Sequence, residues 1–300
     1  MNLRQLRNFV VLAQELNVNR AAVRLHLSQP PLTRQIQQME GELGATLFVR
    51  LPRGLELTAA GLSLLDDAQR ILGMVDAAKD RAAKAGRGEM GRLDVGIFGS
   101  AIFNYIPRLL IQFRNLFPEV QINLHEQAKA EQIQALRERR LSIGFNRHVQ
   151  AQPDIVIETV NVEPLVVAVH GEHPLAQQAQ INLTDLSREP LIIYPNTVRE
   201  GFADHVLGLF RSDGLQAQVA QEVKDAVTAV SLVSCGFGIC ITPEAACSLR
   251  LPGVVYRPLL ATPSPTIDMV CLYRRGDASP LLSAFLNVVR SFKPVPVPLN

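Results

Sequence analysis

Ser28-Gln-Pro-Pro-Leu-Thr-Arg-Gln-Ile-Gln-Gln-Met-Glu-Gly-Glu-Leu43 decides how the rest of the chain is read. Leu32, Ile36, Met39 and Leu43 recur at helical spacing, and at about 100° per residue they fall on one side. Pro30, Thr33, Arg34 and Gln37 cluster roughly 140° away on the same wheel. One stripe is apolar enough to bury, and the other offers amide, hydroxyl and guanidinium donors with no acid among them. Ser28 stands where an N-cap would, its oxygen placed to accept a free backbone N–H. Both prolines fall in the first turn, where a missing N–H removes no intrahelical bond. A helix end carrying Gln29, Thr33 and Arg34 suits duplex DNA. Its N–H groups can meet a phosphate, and arginine and amide side chains can read base edges in the major groove. An ordinary surface helix would show the same apolar stripe, so the flanking sequence has to decide.

Before it, Leu3, Leu6, Phe9, Val10 and Ala13 follow the pattern of a first helix, which Asn17 to Asn19 end. Arg20 to Leu25 reads as a short second helix, and His26-Leu-Ser28 as a tight turn. Two helices joined in this way, the second with a polar stripe, make a helix-turn-helix. After it, Leu47 to Arg50 and Leu55 to Thr58 flank a Pro/Gly turn, as in a β-hairpin. Arg50 and Arg53 lie on or beside that turn, where a wing could enter a minor groove. Thr58 then caps a long helix. Leu64, Ala68, Ile71, Val75, Ala78, Ala82 and Ala85 alternate spacings of four and three. That period marks a seam between two supercoiled helices. Gly86-Arg-Gly88 ends it.

From Leu93 strands and helices alternate: strands at Leu93–Phe98, Val120–Glu126 and Ser142–Asn146, helices at Ala101–Phe117 and Glu131–Arg140. The pattern restarts at Leu165–His170. It continues through strands at Leu191–Tyr194, Ile239–Thr242 and Thr266–Tyr273. Helices follow near Phe202–Phe210, at Asp225–Cys235, from Glu244 and at Leu281–Phe292. Such alternation predicts an α/β body with a mostly parallel sheet in two lobes, its ligand beyond the carboxyl ends of strands.

Composition bounds the alternatives. Three hundred residues suggest two or three domains, and 47% apolar residues suffice for packed cores. No run reaches the roughly 18 apolar residues of a membrane span, and Met1-Asn-Leu-Arg leads into no signal-like segment, which places the protein in the cytoplasm with no membrane partner. Cys235, Cys240, Cys247 and Cys271 fit no zinc spacing and read as small buried hydrophobes. His170 and His173 lack a third ligand, so neither metal nor cofactor is expected. Residues 1–58 hold seven Arg and four Glu, a net of +3, whereas residues 93–300 carry a net of −2. A basic head on a near-neutral body fits a DNA reader. An enzyme is disfavoured: Gly236-Phe-Gly238 lacks the third glycine of a dinucleotide fingerprint, no Walker A sequence occurs, and Ser100 is not in GxSxG. A solute-binding protein would need export and leave residues 1–58 without purpose. An architectural DNA binder would not need so large a body.

The chain resembles the LysR-type transcriptional regulators over essentially its whole length. The likeness is carried by Ala21-Ala-Val-Arg-Leu-His-Leu-Ser-Gln-Pro-Pro-Leu-Thr-Arg-Gln-Ile36, Met39-Glu-Gly-Glu-Leu-Gly44, Leu47-Phe48 with Arg50, and Leu57-Thr-Ala-Ala-Gly61. The body is most similar to the subgroup controlling aromatic-compound catabolism, including muconate-responsive members, at Gly99-Ser100, Gly144-Phe-Asn-Arg147, Tyr194-Pro195 with Phe202-Ala-Asp-His-Val206, and Gly238 to Pro243. The resemblance implies a winged helix-turn-helix head at 1–58, a linker and dimerisation helix at 59–88, and a periplasmic-binding-protein-like effector domain at 89–300. Lobe I would take about 92–161 and 266–300, and lobe II about 162–265. It further implies a homodimer joined through Leu64, Ala68, Ile71, Val75 and Ala78 and assembling to a homotetramer. Such a protein activates transcription, with RNA polymerase as a candidate partner.

Carried over by position, Gln29, Pro30, Thr33, Arg34 and Gln37 face the major groove of an operator, with Arg50 and Arg53 at the wing. A small-molecule carboxylate inducer is expected between the lobes. Its site would draw on Gly99, Ser100 and Ala101, with Ser100 capping the helix that starts near Ala101 and presenting helix N–H groups. Arg199, Gly201 and Phe202 close the other side. Lys129 stands where muconate-responsive members carry threonine; a cation there fits an anionic effector and argues against muconate itself. Arg147 matches an arginine linked to carboxylate recognition, and equally suits a structural ion pair.

Overall fold

The computed structural model describes residues 1–52, 54–195, 201–294 and 298. Arg53 and Arg199, expected at the wing and the cleft, lie outside the described residues. The chain divides into two units, Met1–Lys84 and the remainder from Ala85.

In the first unit α1 (Leu3–Glu15), α2 (Val18–Arg24) and α3 (Gln29–Leu43) precede the hairpin β1 (Phe48–Leu51) and β2 (Gly54–Leu57), followed by α4 (Ala59–Gly86). Local chemistry sets each boundary. Asn2 and Gln5 form a reciprocal capping box on α1. Asn17 accepts from Asn19 N and Arg20 N at the start of α2. Ser28 occupies the N-cap position of α3, but its side chain makes no capping bond; the two prolines are what remain of the expected start signal. Leu32, Ile36 and Met39 are buried as their spacing requires, whereas Leu43, in the last turn before the left-handed Gly44, is exposed. Glu40 Oε1 accepts Leu47 N at 2.7 Å and Phe48 N at 3.3 Å, tying α3 to the wing. Thr58 caps α4 as expected, its Oγ1 accepting Gly61 N at 2.9 Å.

The seam on α4 divides. Ala68 is fully buried in the head and Leu64 packs against the same cluster. Ile71 and Ala78 stay exposed and Val75 half-buried, with Met74, not expected on the seam, exposed beside them. The first half of the stripe therefore serves its own head, because a helix entering from a hairpin must bury apolar surface against that domain first.

In the second unit β3 (Met90–Ile97) leads through a 3₁₀ turn at Gly99–Phe103 into α5 (Tyr105–Leu116). Then come β4 (Glu119–Glu126), α6 (Lys129–Arg137) and β5 (Ile143–Asn146). The strand β6 (Ile155–His170) follows, then β7 (Ile181–Asn182), α7 (Leu183–Leu186), β8 (Pro190–Ile193), α8 (Phe202–Ser212) and β9 (Gln218–Glu222). The unit closes with α9 (Ala226–Ser234), β10 (Cys240–Pro243), a 3₁₀ turn at Glu244–Ser248, β11 (Val254–Leu260), β12 (Thr266–Arg274) and α10 (Pro280–Ser291).

β3 pairs in parallel with β4 and β5, as the βαβ alternation requires. β12 runs antiparallel to both β5 and β6, so the sheet is mixed rather than mostly parallel. The reason is β6. Its first part pairs with β12 and its last part with β10 and β11, so one strand threads both lobes. The expected break before Leu165 is therefore a strand interior. Two main apolar clusters flank it. One joins Tyr105, Phe113, Phe145 and Phe285, the other Val167, Ile192, Phe210 and Val230.

Two further expectations change. The helix expected from Ala101 begins at Tyr105, because Pro107 in its first turn has no N–H to bond the Phe103 carbonyl and its ring crowds that oxygen, so the α-helical ladder does not extend back to Ala101. Of the four cysteines, Cys240, Cys247 and Cys271 are buried, and burial pushes the thiols of Cys247 and Cys271 up to about 12. Cys235 is exposed, since it closes α9 where the chain turns at Gly236.

Candidate functional site

On the head, Gln29, Pro30, Arg34 and Gln37 are exposed and Thr33 is half-buried, all on the side of α3 away from Leu32 and Met39. None of the six Arg among the described head residues packs into the core. Arg20 and Arg24 instead bind Glu15, which leaves Arg34 and Arg50 as exposed cations on α3 and on the wing. The surface can donate hydrogen bonds to base edges and phosphates and carries no carboxylate on that stripe of α3.

In the second unit a cavity of about 420 Å³ opens at the carboxyl ends of β3 and β5 and the start of α8 and α9. Ligand pockets of this kind run from about 300 to 1,000 Å³. Gly99, Ser100, Lys129, Arg147, Gly201 and Phe202 line it, as expected from the sequence. Ala101 does not; it is buried in the apolar cluster behind the 3₁₀ turn. Ser100 is buried within that turn and caps nothing, so the carboxylate site cannot draw on an α-helix N-terminus at this point.

Apolar walls come from Phe98, Phe103, Pro195, Phe202 and Val227. Cations enter from both lobes: Lys129 and Arg147 from one, Lys224 from the other, with Glu126 and Asp225 as the acids. Asp225 is committed to Thr228 N at 2.8 Å as the cap of α9. Lys129 Nζ donates to the His148 carbonyl oxygen. Arg147 Nη2 meets Glu163 Oε1 at 2.8 Å, while its buried Nε has no partner. Arg147 thus holds an ion pair and faces the cavity as well. Tyr194 Oη and Thr242 Oγ1 share a buried hydrogen bond of 2.6 Å, and burial raises the Tyr194 phenol well above its usual range, so it stays neutral. Among the described residues no group of three histidine, cysteine or carboxylate side chains could hold a metal ion.

Sequence reasoning did not find Lys224, Asn146 or His148. Lys224 follows the end of β9, and Asn146 and His148 close β5. The rule placing ligands beyond strand carboxyl ends, applied to the strand read at Ser142–Asn146, would have indicated Asn146 and His148; Lys224 needed β9 to be recognised. Its five residues are all exposed and show no alternation.

Residues 3–62 match the model described as "Bacterial regulatory helix-turn-helix protein, lysR family", and residues 86–293 the model described as "LysR substrate binding domain". The "HTH-type transcriptional regulator ClcR" of Pseudomonas putida is 37% identical, over 96% of this chain and 98% of its own. A crystal structure of full-length CbnR complexed with its target DNA superposes with a TM-score of 0.87 at 35% identity, covering 97% of this chain and 99% of that one. The BenM effector-binding domain with its effector benzoate superposes with a TM-score of 0.63 at 31% identity, covering 67% and 90%.

Proposed function

Because the chain belongs to the LysR family of bacterial helix-turn-helix regulators, we propose that its head reads an operator and its effector domain takes a small organic anion as inducer. The observation that carries the second part is the cleft: apolar and aromatic walls with cations contributed by both lobes. A planar carboxylic acid satisfies both features, its ring or diene against Phe98, Phe103 and Phe202 and its charge toward Lys129, Arg147 and Lys224. Cations on both lobes give such a ligand differential affinity for the closed arrangement, which is what an inducer needs to shift a population. One relative, from Acinetobacter lwoffii, is named a probable cat1 operon transcriptional activator, and the BenM effector-binding domain takes benzoate as its effector; an aromatic-degradation operon is the target we assign. As a reader of operator DNA, like the transcriptional regulators it is similar to, it works in the cytoplasm. Ile71, Met74, Val75 and Ala78 supply the open stripe of α4 for a dimer, the dimers pair to a tetramer, and RNA polymerase is the partner on activation.

Two experiments test this reading. Arg34→Ala is expected to lose about 1–3 kcal/mol of discrimination between operator and scrambled duplex in a gel shift, because a bidentate base contact is removed rather than a phosphate contact. Undiminished discrimination would remove Arg34 from base readout. Calorimetric titration with benzoate, cis,cis-muconate and chlorinated muconates is expected to show saturable binding of at least one. Binding of a neutral or cationic compound with none of these acids would sink the anion assignment.

A further inference from the structure

Besides Arg147 Nε, three buried side-chain nitrogens in or beside the cavity have no partner. Asn146, only 4% exposed, has its Nδ2 buried without a partner, while its Oδ1 accepts Arg147 N at 2.9 Å. His148 Nε2 is buried without a partner, and so is His205 Nε2. Asn146 and His148 line the cavity at the end of β5. His205 lies on α8 in the opposite lobe, and the two imidazole rings stand 5.1 Å apart, tilted by 42°. An orphaned buried donor or acceptor costs about 1–3 kcal/mol, so three such atoms in one place mark a site that a ligand completes.

His205 lies beside the Thr266 backbone, which favours the protonated ring, while its Nε2 is buried without a partner. No third ligand accompanies the two imidazoles among the described residues, so the pair is a proton site and not a metal site. Resting on the anion reading of the cleft, we propose that an acceptor group of the inducer is held at the lobe boundary by Asn146 Nδ2 and His148. His205 shares the proton that this contact requires.

The surrounding charges fix the direction of the coupling. His148 faces Lys129 from α6, its neighbour Arg147, His205 from α8 and Asp268 from β12. Glu126, Lys224 and Asp225 complete the charged wall of the cavity. In the empty cleft, burial first, then His205, Lys129 and Arg147, hold His148 below its usual 6.5, against a weaker pull from Asp268. Burial likewise holds His205 down, opposed by the Thr266 backbone. The pair is thus neutral near neutral pH. An anion in the cavity adds negative charge beside these rings and raises their affinity for a proton. Binding then takes up a proton and tightens as pH falls from neutrality toward the free-protein value of His148. It weakens as pH rises, because the complex loses that proton. A positive inducer would have the opposite effect.

The test is calorimetric titration of the full-length protein with benzoate and with cis,cis-muconate, in phosphate and in Tris at one neutral pH. The binding heats in the two buffers are expected to differ, reporting net proton uptake. Affinity is expected to rise severalfold, about tenfold at most, per pH unit of acidification. His148→Gln, which keeps an amide donor but no titrating group, is expected to erase the buffer difference and flatten the pH profile. Asn146→Ala is expected to weaken binding about tenfold and leave the proton count intact. Equal heats for the unaltered protein, or a buffer difference that survives in His148→Gln, would overturn the proposal. If neither acid binds, the anion reading itself fails, and the pair is then read without ligand. Side-chain ¹⁵N resonances should show His205→Gln raising the titration of His148, and no change would overturn the pair.

Discussion

Gly61→Ala is expected to destabilise the head by about 2–3 kcal/mol or more and to abolish operator binding, although alanine is the better helix former by about 1 kcal/mol. The two effects are of opposite sign, and the geometry decides between them. A Cβ on Gly61 would stand 2.2 Å from the Leu47 carbonyl oxygen and 2.8 Å from Leu57 Cδ2. The carbonyl cannot retreat, because it accepts Thr58 N at 3.0 Å and Thr58 Oγ1 at 3.3 Å. Moving it dismantles the cap of α4 and shifts β1, which carries Arg50. Gly73→Ala is the matched control: the same helix, with nothing within 4 Å of the added methyl. There the propensity gain stands alone, and stability is expected to rise by up to about 1 kcal/mol. The four tyrosines all lie in the second unit and the chain has no tryptophan, so the head is followed by hydrogen exchange of its amides rather than by fluorescence. Equal protection in the two variants would mean that the contact at Leu47 is not the constraint.

Gly61 also shows what kind of information the sequence carried. Leu57-Thr-Ala-Ala-Gly61 signals a family, and the structure supplies its reason: a helix start pressed against a strand's backbone. The head was legible because its signals are local. Apolar spacing, paired prolines, Asn17 and Thr58 each act within a few residues. The effector domain was legible as an alternation of strands and helices, but not in its crossings. Nothing local shows that β6 continues from one lobe to the other, because Thr159 to Pro164 carry no alternating pattern and burial there is set by partners distant in sequence. The cleft was half legible for the same reason. Gly99, Ser100, Lys129, Arg147, Gly201 and Phe202 came from matched motifs. Asn146 and His148 flank the matched Arg147 at the end of β5 and were passed over there, whereas Lys224 is brought to the cleft by topology alone. The Ser100 cap failed because Pro107, seven residues on, governs where α5 can start.

Arg147→Ala is expected to destabilise the effector domain by about 3–5 kcal/mol, which for a unit of this size lowers its melting temperature by roughly 6–20 °C. Glu163 is 5% exposed and its carboxylate has three contacts for about four lone-pair sites. Oε1 accepts Arg147 Nη2 at 2.8 Å and Asn161 Nδ2 at 3.3 Å, and Oε2 accepts Ala245 N at 3.3 Å; the fourth lone-pair site has no described donor. Only Arg147 carries charge, and it too is largely buried, with a side chain 12% exposed. Truncating it strands a carboxylate among two long, neutral hydrogen bonds, and that desolvated charge is the source of the loss. The pair itself need not be strongly stabilising relative to apolar side chains of the same shape. Arg147→Met with Glu163→Gln is therefore expected to recover most of the stability that Arg147→Ala removes, with a coupling energy of about 1–3 kcal/mol in the double-mutant cycle. The location adds a functional consequence. Arg147 follows β5 in one lobe, Glu163 lies on the strand that threads both, and Ala245 follows β10 in the other. The recovered double variant should thus fold and yet respond weakly to inducer, because Arg147 Nε no longer faces the cavity. If Arg147→Ala melted with the unaltered protein, the carboxylate would have found another counter-charge, and the ion pair would not be what joins the lobes.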